Sequence, residues 1–289
     1  MTWQITLFIS IIFGTVRGYA YKKLVEKIDP FLINFYINIL GLPLYVLYYV
    51  IDSGGRITLY PEMMVLGVFF LLAFSAYLYA TKISLSQSAV YSSYYLVITI
   101  FLTSVFLGEG KLFDPRFFAG QKNIIGVILA VFSGYLIFAS DSKKEKAKDE
   151  KWLGFMLFNI IVFGVGAFIS KRFLLTHTVI EALFSQTIAI LPVAFLINLA
   201  KGNSIIRAGK EHFFWLTANT IFDFMTIVLY YLTLKSGPAA LVSPAFSMSL
   251  TVMIVIVGLV FFQEIKHFSK AKFAGLGLGI LGVGLLVIQ

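Results

Sequence analysis

Residues 109–120, EGKLFDPRFFAG, align without gaps on residues 264–275, EIKHFSKAKFAG. Glu, Lys, Phe, Phe, Ala and Gly coincide at 109/264, 111/266, 113/268, 118/273, 119/274 and 120/275, six identities in twelve positions at one displacement of 155. Self-similarity at a fixed spacing marks an internal repeat. A looser match pairs Phe13-Gly14 with Phe163-Gly164, each followed by a basic pair, Lys22-Lys23 and Lys171-Arg172. The chain thus divides into a first repeat, residues 1–139, and a second, residues 152–289. The joint between them, SDSKKEKAKDEK (140–151), carries nine charges in twelve positions and reads as a solvated linker.

Each repeat is too apolar for water. Of the 289 residues 59% are hydrophobic and 13% charged, with a mean hydropathy of +0.91, against roughly 45–50% and about 25% in soluble domains. Windows of about 20 apolar residues, the length that crosses a bilayer, recur at 3–21, 31–51, 62–82, 87–108, 118–139, 152–171, 179–200, 213–234, 238–262 and 271–289. Asp29-Pro30, Tyr60-Pro61, Asp114-Pro115 and Gly237-Pro238 punctuate them. Thr2–Ala20 reads as the first spanning helix rather than a cleaved leader, since no small-residue cleavage site follows. Five helices per repeat is an odd number, so equivalent helices cross in opposite senses. The sequence therefore predicts an all-α membrane protein of ten transmembrane helices arranged as two inverted five-helix repeats.

The net charge of +9 lies in short gaps between apolar runs, where it faces lipid headgroups and water, and argues against nucleic acid as a partner. There is no cysteine, hence no disulfide or thiolate site. No GxSxG, HExxH or other catalytic or cofactor motif occurs, and His177, His212 and His267 are all expected in loops. No enzyme, metal or cofactor is expected.

In their order along the chain these features resemble the drug/metabolite transporter superfamily, and within it the EamA-like ten-helix proteins. The matching residues are the Phe-Gly in the first helix of each repeat, Pro30 opening the second helix, and Lys82 and Lys235 after the third. Gly108-Glu109 and Gln263-Glu264 close the fourth, and AGLGLGILGVGLL (274–286) forms a Gly-rich fifth. The resemblance implies a substrate cavity between the repeats, lined mainly by helices 1, 3, 4, 6, 8 and 9 and worked by alternating access, in a prokaryotic inner membrane. One departure is the Arg often present early in helix 2, in whose region this chain has Asn34 and Asn38.

Ionisable residues at bilayer depth are costly and are functional suspects by default. Asp223 lies mid-helix, with Asn219 and Tyr230 on the same face. It reads either as a proton carrier or counter-charge to a substrate cation, or as an acid paired for packing. Arg17 shares a stripe with Ser10, Gly14 and Tyr21, which would carry a guanidinium to the cavity, let it snorkel to the interface, or pair it with Asp223. The fourth helix of each repeat is unusually polar, QSAVYSSYYLVIT (87–99) and SPAFSMSLT (243–251). Tyr91 and Tyr95 could wall a site for a ring-bearing or cationic ligand, with Ser247 across from them; close helix packing accounts for such small and hydroxylated residues equally well. The candidate substrate residues are therefore Arg17, Asn38, Tyr91, Tyr95, Asn219, Asp223, Tyr230 and Ser247. Asp223 is also the candidate coupling group, and Pro192 and Pro244 are candidate hinges. Glu109 and Glu264 read as structural.

The favoured function is secondary transport of a small amine-bearing or zwitterionic metabolite such as an amino acid or organic cation, with possible proton coupling at Asp223. Alternatives are a phosphate-bearing or nucleotide-linked substrate, a channel, or a non-transport scaffold. Orientation stays open. Loops after helices 1, 3, 5, 7 and 9 hold 15 Lys and Arg against 7 in the others, which places the linker in the cytoplasm; the family resemblance places both termini there.

Overall fold

The computed structural model describes residues 2–53, 58–83, 85–139, 150–262 and 270–287. Among the described residues eleven α-helices form ten helical segments: α1 Trp3–Val25, α2 Pro30–Ser53, α3 Pro61–Ile83, α4 Leu85–Ser93, α5 Tyr95–Phe106, α6 Phe118–Ala139, α7 Glu150–Leu174, α8 Val179–Ala200, α9 Ile205–Ser236, α10 Ala239–Phe261 and α11 Lys270–Val287, with α4 and α5 making one segment. No strand occurs among the described residues. Among the described residues eight segments are long and apolar enough to cross a membrane, one of them Ser88–Phe106, which joins α4 and α5 across a break at Tyr94. The first passage, α1, falls outside that set: Arg17, Lys22 and Lys23 lower its hydropathy.

Helix ends follow local chemistry. Pro30 and Pro61 open α2 and α3 at the first helical position, where a missing N–H costs nothing. The Asp29 carboxylate accepts from the Phe31 N–H at 2.9 Å, an N-cap. Thr178 and Glu181 form a capping box at the start of α8. At about 1.5 Å per residue, the 32 residues of α9 exceed the roughly 30 Å of bilayer hydrocarbon. The helix accordingly kinks at His212 (φ −124°, ψ 16°). His212 is thus inside a helix rather than in the loop the sequence suggested.

The long-range contacts repeat themselves across the two halves. Lys22 Nζ donates to the Thr81 carbonyl at 3.0 Å, and Lys171 Nζ donates to the Leu234 carbonyl at 2.7 Å. Ser10 Oγ donates to the Thr226 carbonyl at 2.9 Å, and Asn159 Nδ2 donates to the Ala73 carbonyl at 3.1 Å. In both cases the α1 residue maps onto the α7 residue at a displacement of 149, and the α3 residue maps onto the α9 residue at 153. First-repeat α1 therefore lies on second-repeat α9, and α7 lies on α3, so the two repeats interlock instead of standing side by side.

Charged side chains fasten contacts both within and between the repeats. The buried Lys22 and Lys171 ammoniums sit on the carbonyls at the C-terminal ends of α3 and α9, where the helix dipole favours a cation. Glu109, after α5, accepts from the Ala239 and Ala240 N–H groups at 3.0 and 2.7 Å and so caps α10. Its repeat counterpart Glu264 lies outside the described residues, as do most of the linker and the first half of the 264–275 motif.

The largest apolar cluster fills one end of the molecule. Trp3, Leu7, Tyr49, Met63, Leu174, Val179, Leu234 and Val242 all belong to it, and all lie near helix ends on the face where the described chain starts and finishes. We call this the terminus face. The opposite face, where α6 ends and α7 begins, is the linker face.

Candidate functional site

A cavity of about 240 Å³ lies in the middle of the bundle. It extends toward the linker face along Tyr77, Thr81, Leu85, Ala89 and Ile254, whereas the apolar cluster closes its terminus-face end. Its walls come from α1, α3, α4, α5, α7, α9 and α10, as expected, but also from α2 (Asn34, Ile37, Asn38, Tyr45) and α8 (Leu183, Gln186, Thr187, Ile190). Gly14 and Gly18 let α1 approach α10 closely. A Cβ at Gly14 would lie 3.0 Å from Leu250 Cδ1, and one at Gly18 would lie 3.1 Å from Ile254 Cγ1.

On this wall Arg17 Nη1 meets Asp223 Oδ1 at 3.1 Å, joining α1 to α9. Tyr21, one turn below Arg17, donates its hydroxyl to the same carboxylate oxygen at 2.8 Å. The side chains are 16% and 8% exposed, so neither charge snorkels; each is held in the protein interior by the other. Of the readings left open for Arg17, the structure displays the direct pair. Arg17 is the only Lys or Arg and Asp223 the only acid among the lining residues. The wall thus offers one charge of each sign, already joined.

Asn38, Tyr95, Tyr230 and Ser247 also line the cavity. Tyr230 packs on Phe246 with ring centroids 4.5 Å apart and reaches Ser243 at 3.5 Å. Ser247 Oγ donates to the Ser93 carbonyl at 3.4 Å, bridging α10 to the broken fourth passage. Two candidates lie elsewhere. Tyr91 packs edge-on against Trp152, 4.7 Å away, and is absent from the wall. Sequence spacing placed it beside Tyr95 on one continuous helix, and the break at Tyr94 removes that premise. Asn219 is completely buried one turn from Asp223 but off the cavity wall. The helices run on through Pro192 and Pro244, whereas the backbone breaks at Tyr94 and His212.

Several wall residues escaped the sequence reading. Asn159 donates to the Ala73 carbonyl and accepts from Ser92 at 2.8 Å, tying α7 to α3 and α4. Gln186, Tyr231 and Ser170 form a hydrogen-bonded group at 3.0–3.3 Å. An amide in the middle of an apolar span was the available signal for Asn159 and Gln186.

Residues 150–288 match the model of the EamA-like transporter family. The second repeat of the chain is thus similar to that family. A solved crystal structure superposes on this chain with a TM-score of 0.72 at 14% identity, over 98% of this chain and 95% of the other. That likeness extends the fold, though nothing more, across the first repeat as well. No curated protein matches the chain. The family matched by the second repeat is described as one of transporters.

Proposed function

We propose that the chain is a secondary active transporter of a small zwitterionic or amine-bearing metabolite, working by alternating access from a prokaryotic inner membrane. One observation carries the reading: the cavity wall holds one guanidinium and one carboxylate, bonded to each other at 3.1 Å. A zwitterion can exchange partners with such a pair, its ammonium replacing Arg17 at Asp223 and its carboxylate replacing Asp223 at Arg17. Both buried charges stay compensated throughout, which avoids the several kcal/mol that an unpaired buried ion costs. An amine without a carboxylate would leave the Arg17 guanidinium in need of another anion; at Asp223 the amine and a proton would compete for one carboxylate, which gives Asp223 its proposed part in proton coupling. A phosphate-bearing substrate fits less well, because Arg17 alone would have to neutralise it.

The cavity is smaller than the roughly 300–1,000 Å³ of drug-sized pockets, which suits a metabolite of amino-acid size. Closure at the terminus face and extension toward the linker face match one end state of an alternating-access cycle. The test is uptake by proteoliposomes from a panel of amino acids, organic amines and organophosphates. Wild-type protein is expected to accumulate zwitterions, and Asp223→Asn to be correctly inserted yet unable to do so. Accumulation of organophosphates alone, or equal pH-dependent uptake by Asp223→Asn, would refute the assignment.

A further inference from the structure

The fixed displacements between the repeats also locate the counterpart of the ion pair. Arg17 of α1 maps at 149 onto Gly166 of α7, and Asp223 of α9 maps at 153 onto Phe70 of α3. These counterparts touch as well: a Cβ on Gly166 would lie 2.3 Å from Phe70 Cε1, so the Phe70 ring rests directly on the glycine. The same contact between repeats is thus an ion pair on one side of the pseudo-symmetric cavity and a phenyl on a bare helix backbone on the other. Phe70 and Phe163 stack at 5.2 Å and 28°, and Tyr95 flanks Phe163 at 6.2 Å. All three rings line the cavity.

We propose that this aromatic wall makes the transporter selective for zwitterions whose apolar part is a flat ring, the ionic head seated at Arg17 and Asp223 and the ring against Phe70 and Phe163. The inference rests on the head-group reading above and adds the tail. Aromatic walls favour ring partners over aliphatic groups of similar area through offset-stacked and edge-to-face geometry. Gly166 matters because any side chain there would displace the Phe70 ring from its seat.

The experiment measures binding to the purified full-length protein by thermal stabilisation, with phenylalanine and leucine as paired zwitterions. Wild-type protein is expected to bind phenylalanine roughly fivefold more tightly than leucine. Phe70→Leu and Phe163→Leu, made separately so that one misfolded variant does not end the test, should bring that ratio close to one. Equal affinities in the wild type, or a preference that survives in both variants, would overturn the ring selectivity and leave the head-group reading intact. If neither zwitterion binds, the head-group reading falls and the ring selectivity with it.

Discussion

Arg17 and Asp223 show what a residue list can and cannot reveal. Each was visible in sequence as a charge at bilayer depth, and Asp223 stood out because few residues of its kind sit mid-span. Their partnership depends on how α1 packs on α9, which no local pattern encodes; the same holds for Tyr21, identifiable only as a neighbour of Arg17 on one helix face. The pair's energetics follow from its burial. Removing one member strands the other charge and is expected to cost about 3–5 kcal/mol, whereas removing both is expected to be nearly neutral. Melting temperatures of Arg17→Gln, Asp223→Asn and the double variant check this: the singles should both fall well below the double. Asp223→Asn is expected to be the milder single change, because an Asn can still accept from Tyr21. Additive losses would mean that the two side chains are not coupled.

Helix existence was legible wherever an apolar window ran for about 20 residues, and the windows lie close to the helices observed. The break at Tyr94 and the kink at His212 were not legible, because neither carries a proline or glycine. The approach between helices leaves a clearer trace. A Cβ on Gly67 would stand 2.8 Å from both the backbone Cα and the carbonyl oxygen of Gln186, so Gly67→Ala is expected to force α3 from α8 and destabilise by about 1–3 kcal/mol. Gly277 has nothing within 4 Å of such a Cβ, and Gly277→Ala is expected to stabilise α11 by up to about 1 kcal/mol. Comparable melting temperatures for the two variants would contradict the packing described. At the linker-face end of α3 and α8, Asp29 accepts from Lys201 at 2.6 Å and from Tyr79 at 2.7 Å, joining the two repeats. Burial opposes ionisation of Asp29, but the Lys201, Tyr79 and Phe31 hydrogen bonds outweigh it and hold the carboxyl below its ordinary value. The folded pKa is the depressed one, so this stabilisation is fully present above the unfolded value and is lost as pH falls through the folded one. Asp29→Asn is therefore expected to destabilise the protein at pH 7 by no more than about 1 kcal/mol for a partly exposed pair, seen as a slightly lower melting temperature. The gap should close toward pH 3, and a gap unchanged by acid would contradict the assignment.

For the whole molecule, the repeat was legible from twelve residues near the end of each fourth helix, and an odd helix count then required inversion. How the repeats interlock was not legible, since α1 on α9 and α7 on α3 are contacts between segments far apart in the chain. The cavity is a product of that interlocking: eight of the ten passages contribute walls, while α6 and α11 pack together outside it. Transport is thus ascribed to one neutral, self-paired site shared between the repeats, and not to the fold in general. Uptake by proteoliposomes carrying the Arg17→Gln, Asp223→Asn double variant tests this most directly, because that variant keeps the charge balance of the cavity and is expected to remain folded. The account predicts a melting temperature near that of the wild type and no accumulation of a zwitterionic substrate that the wild type accumulates; accumulation at the wild-type rate would contradict it.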